Sequence, residues 1–172
     1  WYVLCELASS ADEPLDDIAQ RALASATATG LVDDAAMATS ERQRQAFWKL
    51  RESVPEAQRH AGPRIKHDVS VPVAQLPAFV RAAAQWVAAN VPDGLLICYG
   101  HVGDGSLHFN VSRRAGADDV AFLAREPAIK RAIHDLVASF GGSISAEHGI
   151  GRWKVDELAR YADPVRLALM HA

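Results

Sequence analysis

The feature that most constrains this chain is the run from Leu95 to Val111, where two strand-like stretches meet at Asp104-Gly105. Residues 95–101 and 106–112 are strand-like, and an Asp-Gly step between such stretches is a strong signal for a two-residue hairpin. With the turn centred on Asp104 and Gly105, residue 103 faces 106, 102 faces 107 and 101 faces 108. His101 and His108 then oppose each other on one face, their Cβ atoms about 4.5–5.5 Å apart, with Tyr99 and Asn110 as the next pair. Two imidazoles at that separation can share one metal ion. The bland alternative is a pair of surface histidines that flank a turn.

A third ligand lies in Ser143-Ile-Ser-Ala-Glu147-His148-Gly149-Ile-Gly151-Arg-Trp-Lys154. Glu147 and His148 are adjacent, so their side chains point in different directions, and one can bind a metal while the other faces a substrate. Two imidazoles and one carboxylate with open positions left over form a common catalytic set for zinc, and also for iron or manganese.

The rest of the chain alternates helix and strand. Strands are expected over 1–8, 31–37 and 67–73, the last with Val69, Val71 and Val73 on one face. Helices are expected over 14–28, over 40–53 with Pro55 ending it, over 74–90, over 117–140 with a break at Pro127, and over 155–172. Residues 56–66 read as a polar stretch and 143–154 as irregular. With a clear hairpin in the mixture, the class is α+β: an antiparallel sheet covered on one face by helices.

Length and composition exclude some roles. The 172 residues are one domain's worth, with 49% apolar and 23% charged side chains. A net charge of −3 and the lack of a basic stripe make nucleic acid a poor partner. The longest apolar runs fall far short of the roughly 20 residues that span a bilayer. Cys5 and Cys98 are expected to be buried free thiols in a reducing, cytoplasmic setting. The chain opens on Trp1-Tyr2-Val3-Leu4 and closes on an apparent helix in progress, so a single domain, 1–172, cut from a longer protein is expected.

Taken together, GHVGDGSLHFNV and ISAEHGIGRWK, about 35 residues apart, resemble the C-terminal domain of FAD-linked oxidases. Phe47-Trp48-Lys49-Leu50-Arg51-Glu52 and Lys66-His67-Asp68-Val69-Ser70-Val71-Pro72 match in the same order, so the resemblance covers essentially the whole chain. The group includes the glycolate oxidase flavoprotein subunit, D-lactate dehydrogenases and D-2-hydroxyglutarate dehydrogenase. It implies a cap domain with a large antiparallel sheet and ferredoxin-like elements, paired in the same polypeptide with a flavin-binding domain of the vanillyl-alcohol-oxidase type.

Carried over by position, the resemblance makes His101, His108 and Glu147 metal ligands and His148 the group that takes the substrate hydroxyl proton. Asn110 becomes a substrate hydrogen-bonder, and Arg51 and Lys66 receive the substrate carboxylate. One departure stands out: some relatives place a threonine soon after the Arg-Glu pair to help bind a second carboxylate, and here Ser53, Val54 and Pro55 occupy that stretch. The implied activity is oxidation of a 2-hydroxy acid, with FAD held mainly by the other domain and a divalent metal, zinc first, held here. On this reading the chain alone is inactive and colourless, and the whole protein is cytoplasmic or peripheral at a membrane through its electron acceptor. A homodimer is compatible with it. A metal-dependent hydrolase and a non-catalytic module of the same fold are the alternatives.

Overall fold

The computed structural model describes residues 1–170. It divides into two compact units, Trp1–Gln58 and Arg59–Ala172. The first carries α1 (Leu15–Ala28) and α2 (Glu41–Glu52), and α3 (Val54–His60) runs across the boundary. The second carries β1 (Arg64–Ile65), β2 (Asp68–Ser70), α4 (Leu76–Asn90), β3 (Gly94–His101), β4 (Ser106–Arg113), α5 (Asp119–Ala124), α6 (Glu126–Ser139), α7 (Val155–Tyr161) and α8 (Pro164–Met170). The architecture is α+β, as expected.

In the first unit, Ser40 caps α2 by accepting the Gln43 N–H, the role a serine at this position suits. Neither α1 nor α2 buries a residue. The strands expected at 1–8 and 31–37 do not form, and Cys5 is exposed rather than buried. Strand-forming residues give a strand only where a neighbouring strand pairs with them, and no pairing reaches either stretch. Pro55 does not close the helical region. It sits in the first turn of α3, where its missing N–H costs nothing, so 54–60 is helix where a polar stretch was expected.

In the second unit β4 is the centre of the sheet, with β3 antiparallel on one side and β1 and β2 antiparallel on the other. β1 and β2 keep a single register along β4: Ile65 faces Val111, and Asp68 faces His108. They are two ends of one strand, interrupted at Lys66-His67. The cause is local. The Phe109 N–H still donates to the His67 carbonyl at 3.0 Å, but the His67 N–H turns to the Asn110 side-chain oxygen at 3.4 Å. The Phe109 carbonyl pairs instead with His67 Nδ1 at 2.6 Å. Two side chains thus replace one backbone rung.

Odd-numbered residues of β4 (Leu107, Phe109 and Val111) face the core with Ile65 and Val69. Phe79, Ala83 and Val87 of α4 and Ile129, Ile133 and Val137 of α6 pack against them. Each such side chain withdrawn from water contributes about 1.5–3 kcal/mol before chain entropy is counted. Helices therefore cover this one face, as expected. Val73, expected on the valine face, is instead 45% exposed in a short 3-10 turn.

The hairpin differs from expectation in register. Tyr99 faces His108, His101 faces Ser106 and Asn110 faces Ile97, leaving a four-residue loop, 102–105. The Asp104 carboxylate accepts the Ser106 N–H at 2.8 Å, and Gly105 adopts φ +77°. A Cβ at Gly105 would lie 2.0 Å from the Val71 carbonyl oxygen, so the tip fits only glycine. The slip is two residues. A one-residue slip would have turned His108 into the core; a two-residue slip keeps it on the same face as His101, now diagonally placed.

The helical region 117–140 breaks at Arg125, with Pro127 in the first turn of α6, and 155–170 forms two helices separated at Asp163. The remainder of the helix expected to reach 172, with His171, lies outside the described residues.

Candidate metal centre

The uncovered face of the sheet carries the even-numbered residues of β4. There Ser106, His108 and Asn110 line up with Tyr99 and His101 from β3 and Asp68 from β2. Register also places Lys66 opposite Asn110, and Lys66 is exposed.

The segment 143–148 is brought to this face along the free edge of β2. Ser70 and Ser143 exchange N–H to carbonyl bonds of 2.8 and 3.0 Å, and the Ala146 N–H reaches the Asp68 carbonyl at 3.3 Å. Gly142 permits the approach, since a Cβ there would sit 2.2 Å from the Ser70 carbonyl oxygen. The chain then turns over the sheet edge and presents Glu147 and His148.

Glu147 lies between the two hairpin histidines. Its Oε1 is 3.7 Å from His101 Nε2 and its Oε2 is 3.4 Å from His108 Nε2. Donor atoms sharing a tetrahedral zinc with bonds of 2.0–2.2 Å stand about 3.4 Å from one another, so the separation of His108 from Glu147 suits a common ion. Among the described residues, the group of three whose donor atoms all lie within 4.8 Å of one another is Asp68, His108 and Glu147; His101 approaches Glu147 but stands outside that group. Two nitrogens with carboxylate oxygens are a donor chemistry that fits zinc, iron or manganese. The His108 ring packs between Tyr99, at 5.0 Å between centroids, and His148, at 5.7 Å.

Asp68, a residue to which the sequence pattern assigns no role, is buried at this face. Its carboxylate accepts the N–H of His148 at 2.9 Å and of Glu147 at 3.1 Å, and lies 3.3 Å from His148 Nδ1. Burial pushes the Asp68 carboxyl up, but the two backbone donors and the charges of His148 and Lys154 outweigh it and hold it below its ordinary value. Lys154 donates to the Ile144 carbonyl at 2.7 Å, and burial lowers its ammonium pKa against the pull of Asp68. The signal for Asp68 was available: in His67-Asp-Val-Ser-Val71 the valines mark the core face, so Asp68 must point the other way.

The substrate residues expected from the sequence are divided between the two units. Asn110 is on the metal face but buried, its side-chain oxygen accepting the His67 N–H. Arg51 belongs to α2 of the first unit, half-buried there. Ser53, in the stretch that follows the Arg51-Glu52 pair, donates its hydroxyl to the Leu50 carbonyl at 2.8 Å.

Residues 1–172 match the family described as FAD linked oxidases, C-terminal domain. This chain belongs to that family. Among relatives of this FAD-linked oxidase domain are the D-2-hydroxyglutarate dehydrogenases of Stutzerimonas stutzeri and Xanthomonas citri pv. viticola. They are 35% identical over 175 residues and 34% over 170, covering 100% and 99% of this chain. The mitochondrial D-2-hydroxyglutarate dehydrogenase of Rattus norvegicus is 34% identical over 174 residues, covering 99%. The chain spans 37%, 36% and 30% of the length of these three proteins. Among the described residues, no helix is long and apolar enough to cross a membrane.

Proposed function

We propose that this domain supplies the metal- and substrate-binding half of an FAD-dependent dehydrogenase acting on a 2-hydroxy acid, with D-2-hydroxyglutarate as the first substrate to try and D-lactate and glycolate next. The observation that carries the reading is Glu147 set between His101 and His108, with His148 beside it on the same face. Family membership favours a flavin-linked reaction over the hydrolytic alternative. The partner is an FAD-binding domain in the same polypeptide, consistent with the greater length of the relatives.

His101, His108 and Glu147 would hold a divalent ion, zinc first. When bound, the ion supplies Lewis acidity at the substrate hydroxyl, and the flavin supplies the hydride acceptor. His148 takes the hydroxyl proton on Nε2, the ring nitrogen turned away from Asp68. Arg51 and Lys66 hold the carboxylate, Arg51 through a bidentate fork and Lys66 as a point charge. Asn110 contributes from the floor of the face.

The test uses the polypeptide in which this chain is joined to its FAD-binding domain. Anaerobic addition of D-2-hydroxyglutarate should bleach the flavin absorbance, and His148→Ala should slow the bleaching by about 100-fold or more, the loss expected of a general base. Failure of every D-2-hydroxy acid to reduce the flavin would overturn the proposal.

A further inference from the structure

We infer that Asp68 is a positioning residue whose single carboxylate clamps the 145–148 turn and so sets Glu147 and His148 together against His108. The inference uses the proposed function only for what the turn delivers; the clamp itself stands on hydrogen bonds.

The turn has no regular secondary structure, yet it must place two adjacent side chains onto a sheet that it reaches from the edge. Backbone bonds hold only its beginning, at Ser143 and Ala146. Beyond Ala146 the Ser145 hydroxyl closes the turn by donating to the Gly149 carbonyl at 2.7 Å, and Asp68 holds the amides between. The Asp68 Oδ2 lies 2.9 Å from the His148 nitrogen and 3.1 Å from that of Glu147, and its Oδ1 lies 3.3 Å from the Glu147 nitrogen. Two successive backbone N–H groups pointed at one carboxylate make an anion-binding nest, here filled by the protein's own side chain. Asp68 comes from a paired strand and is almost fully buried, so it is a rigid anchor.

The same carboxylate reaches the side chain it positions. His148 Nδ1 stands 3.3 Å from Oδ2 while the His148 side chain is 67% exposed. Nδ1 is thus the ring nitrogen on the Asp68 side, and Nε2 is turned away from the clamp.

Asp68 also belongs to the three-donor group. Its Oδ2 accepts two backbone N–H groups, so it acts on that group through Glu147, while Oδ1 keeps lone pairs that can face an ion. Outer partners of this kind typically change metal affinity 10–100-fold when removed.

The experiment is hydrogen exchange by NMR on the chain, followed by zinc titration of the wild type, Asp68→Asn and His101→Ala. The Glu147 and His148 amides should be protected in the wild type, although the turn is irregular, and their exchange should accelerate at least about tenfold in Asp68→Asn. Zinc affinity should fall about 10–100-fold in Asp68→Asn. His101→Ala should weaken zinc while leaving the two amides protected. Free exchange of both amides in the wild type overturns the clamp without any variant needing to fold, as does unchanged protection of the two amides in Asp68→Asn. If the wild type binds no zinc but its amides are protected and Asp68→Asn releases them, the metal reading fails and the clamp survives.

Discussion

The two sides of the sheet carry similar residues in opposite circumstances. On the open side, His101, His108 and His148 meet Glu147 and Asp68. On the covered side, His134 meets Glu157 and packs edge-on against His67, with ring centroids 5.9 Å apart. The covered histidines have bonds of hydrogen-bond length, His67 Nδ1 to the Phe109 carbonyl at 2.6 Å and His134 Nδ1 to Glu157 at 3.0 Å. The open-side nitrogens stop at 3.3–3.7 Å from their carboxylates. Donors already bonded to each other give structure. Donors that converge without closing leave room for something else, and the difference predicts which replacements cost binding and which cost stability.

The largest effect should come from Glu147→Ala, which removes the carboxylate shared by His101 and His108. Zinc affinity should fall by more than the roughly 100-fold that bounds loss of an outer partner, with unfolding free energy changed by less than about 0.5 kcal/mol, as at an exposed site. Isothermal titration and urea unfolding measure the two. A large stability loss with zinc binding intact would erase the distinction between the faces.

Glu157→Ala should do the reverse. It strands His134, which is 3% exposed, without its partner and releases Arg131, which also binds Glu157 at 2.7 Å. Leaving a buried polar group unsatisfied costs about 1–3 kcal/mol, readable as a lower urea midpoint with an unchanged slope. Zinc affinity should hold.

Acid should attack the covered side. Burial lowers the His67 pKa to about 3 and also lowers that of His134, against the opposing pull of Glu157. Unfolded histidines protonate near pH 6.5, so below that value the unfolded chain binds more protons than the folded one. The stability of the buried pair is therefore complete above about pH 6.5 and declines as pH falls toward 3, at up to about 1.4 kcal/mol per pH unit for each histidine. Asp68 and Glu157, both held below their ordinary values, extend the loss in the same direction at lower pH. His67→Gln, neutral throughout, should flatten the slope of urea stability between pH 6.5 and 5 by about one proton. An unchanged slope would show that His67 is not the titrating group.

These contrasts were only half legible in the amino-acid sequence. The open face was visible because Asp104-Gly105 marks a turn, and the even slip of the hairpin kept His101 and His108 on one side. The covered face was not. His134 sits in an ordinary helical pattern beside Ile133, and nothing local says that Glu157 returns to meet it after an irregular loop. His67 read as a strand residue of minor interest because its bond to the Phe109 carbonyl replaces a backbone rung, a tertiary event without a sequence signature. The strand expected at 1–8 failed for the converse reason: its composition was right, but pairing is supplied from elsewhere in a fold. Cys98 met expectation only in part: it packs half-buried against the core, and burial raises its thiol to about 11.

The smallest effect on metal affinity is expected at His148, and it separates the open-side groups from one another. His148 is adjacent in sequence to Glu147 and its ring lies 5.7 Å from that of His108, so proximity alone would make it a fourth ligand. Its Nδ1, however, faces Asp68 rather than the space between His101 and His108. A ligand should be missed when removed; a base should not be. His148→Ala should therefore shift zinc affinity by less than the roughly tenfold that marks the mildest outer-partner loss, while the joined flavoprotein loses flavin reduction. A zinc loss as large as that of His101→Ala would move His148 into the ligand set. The group that takes the proton would then have to be sought elsewhere on the same face.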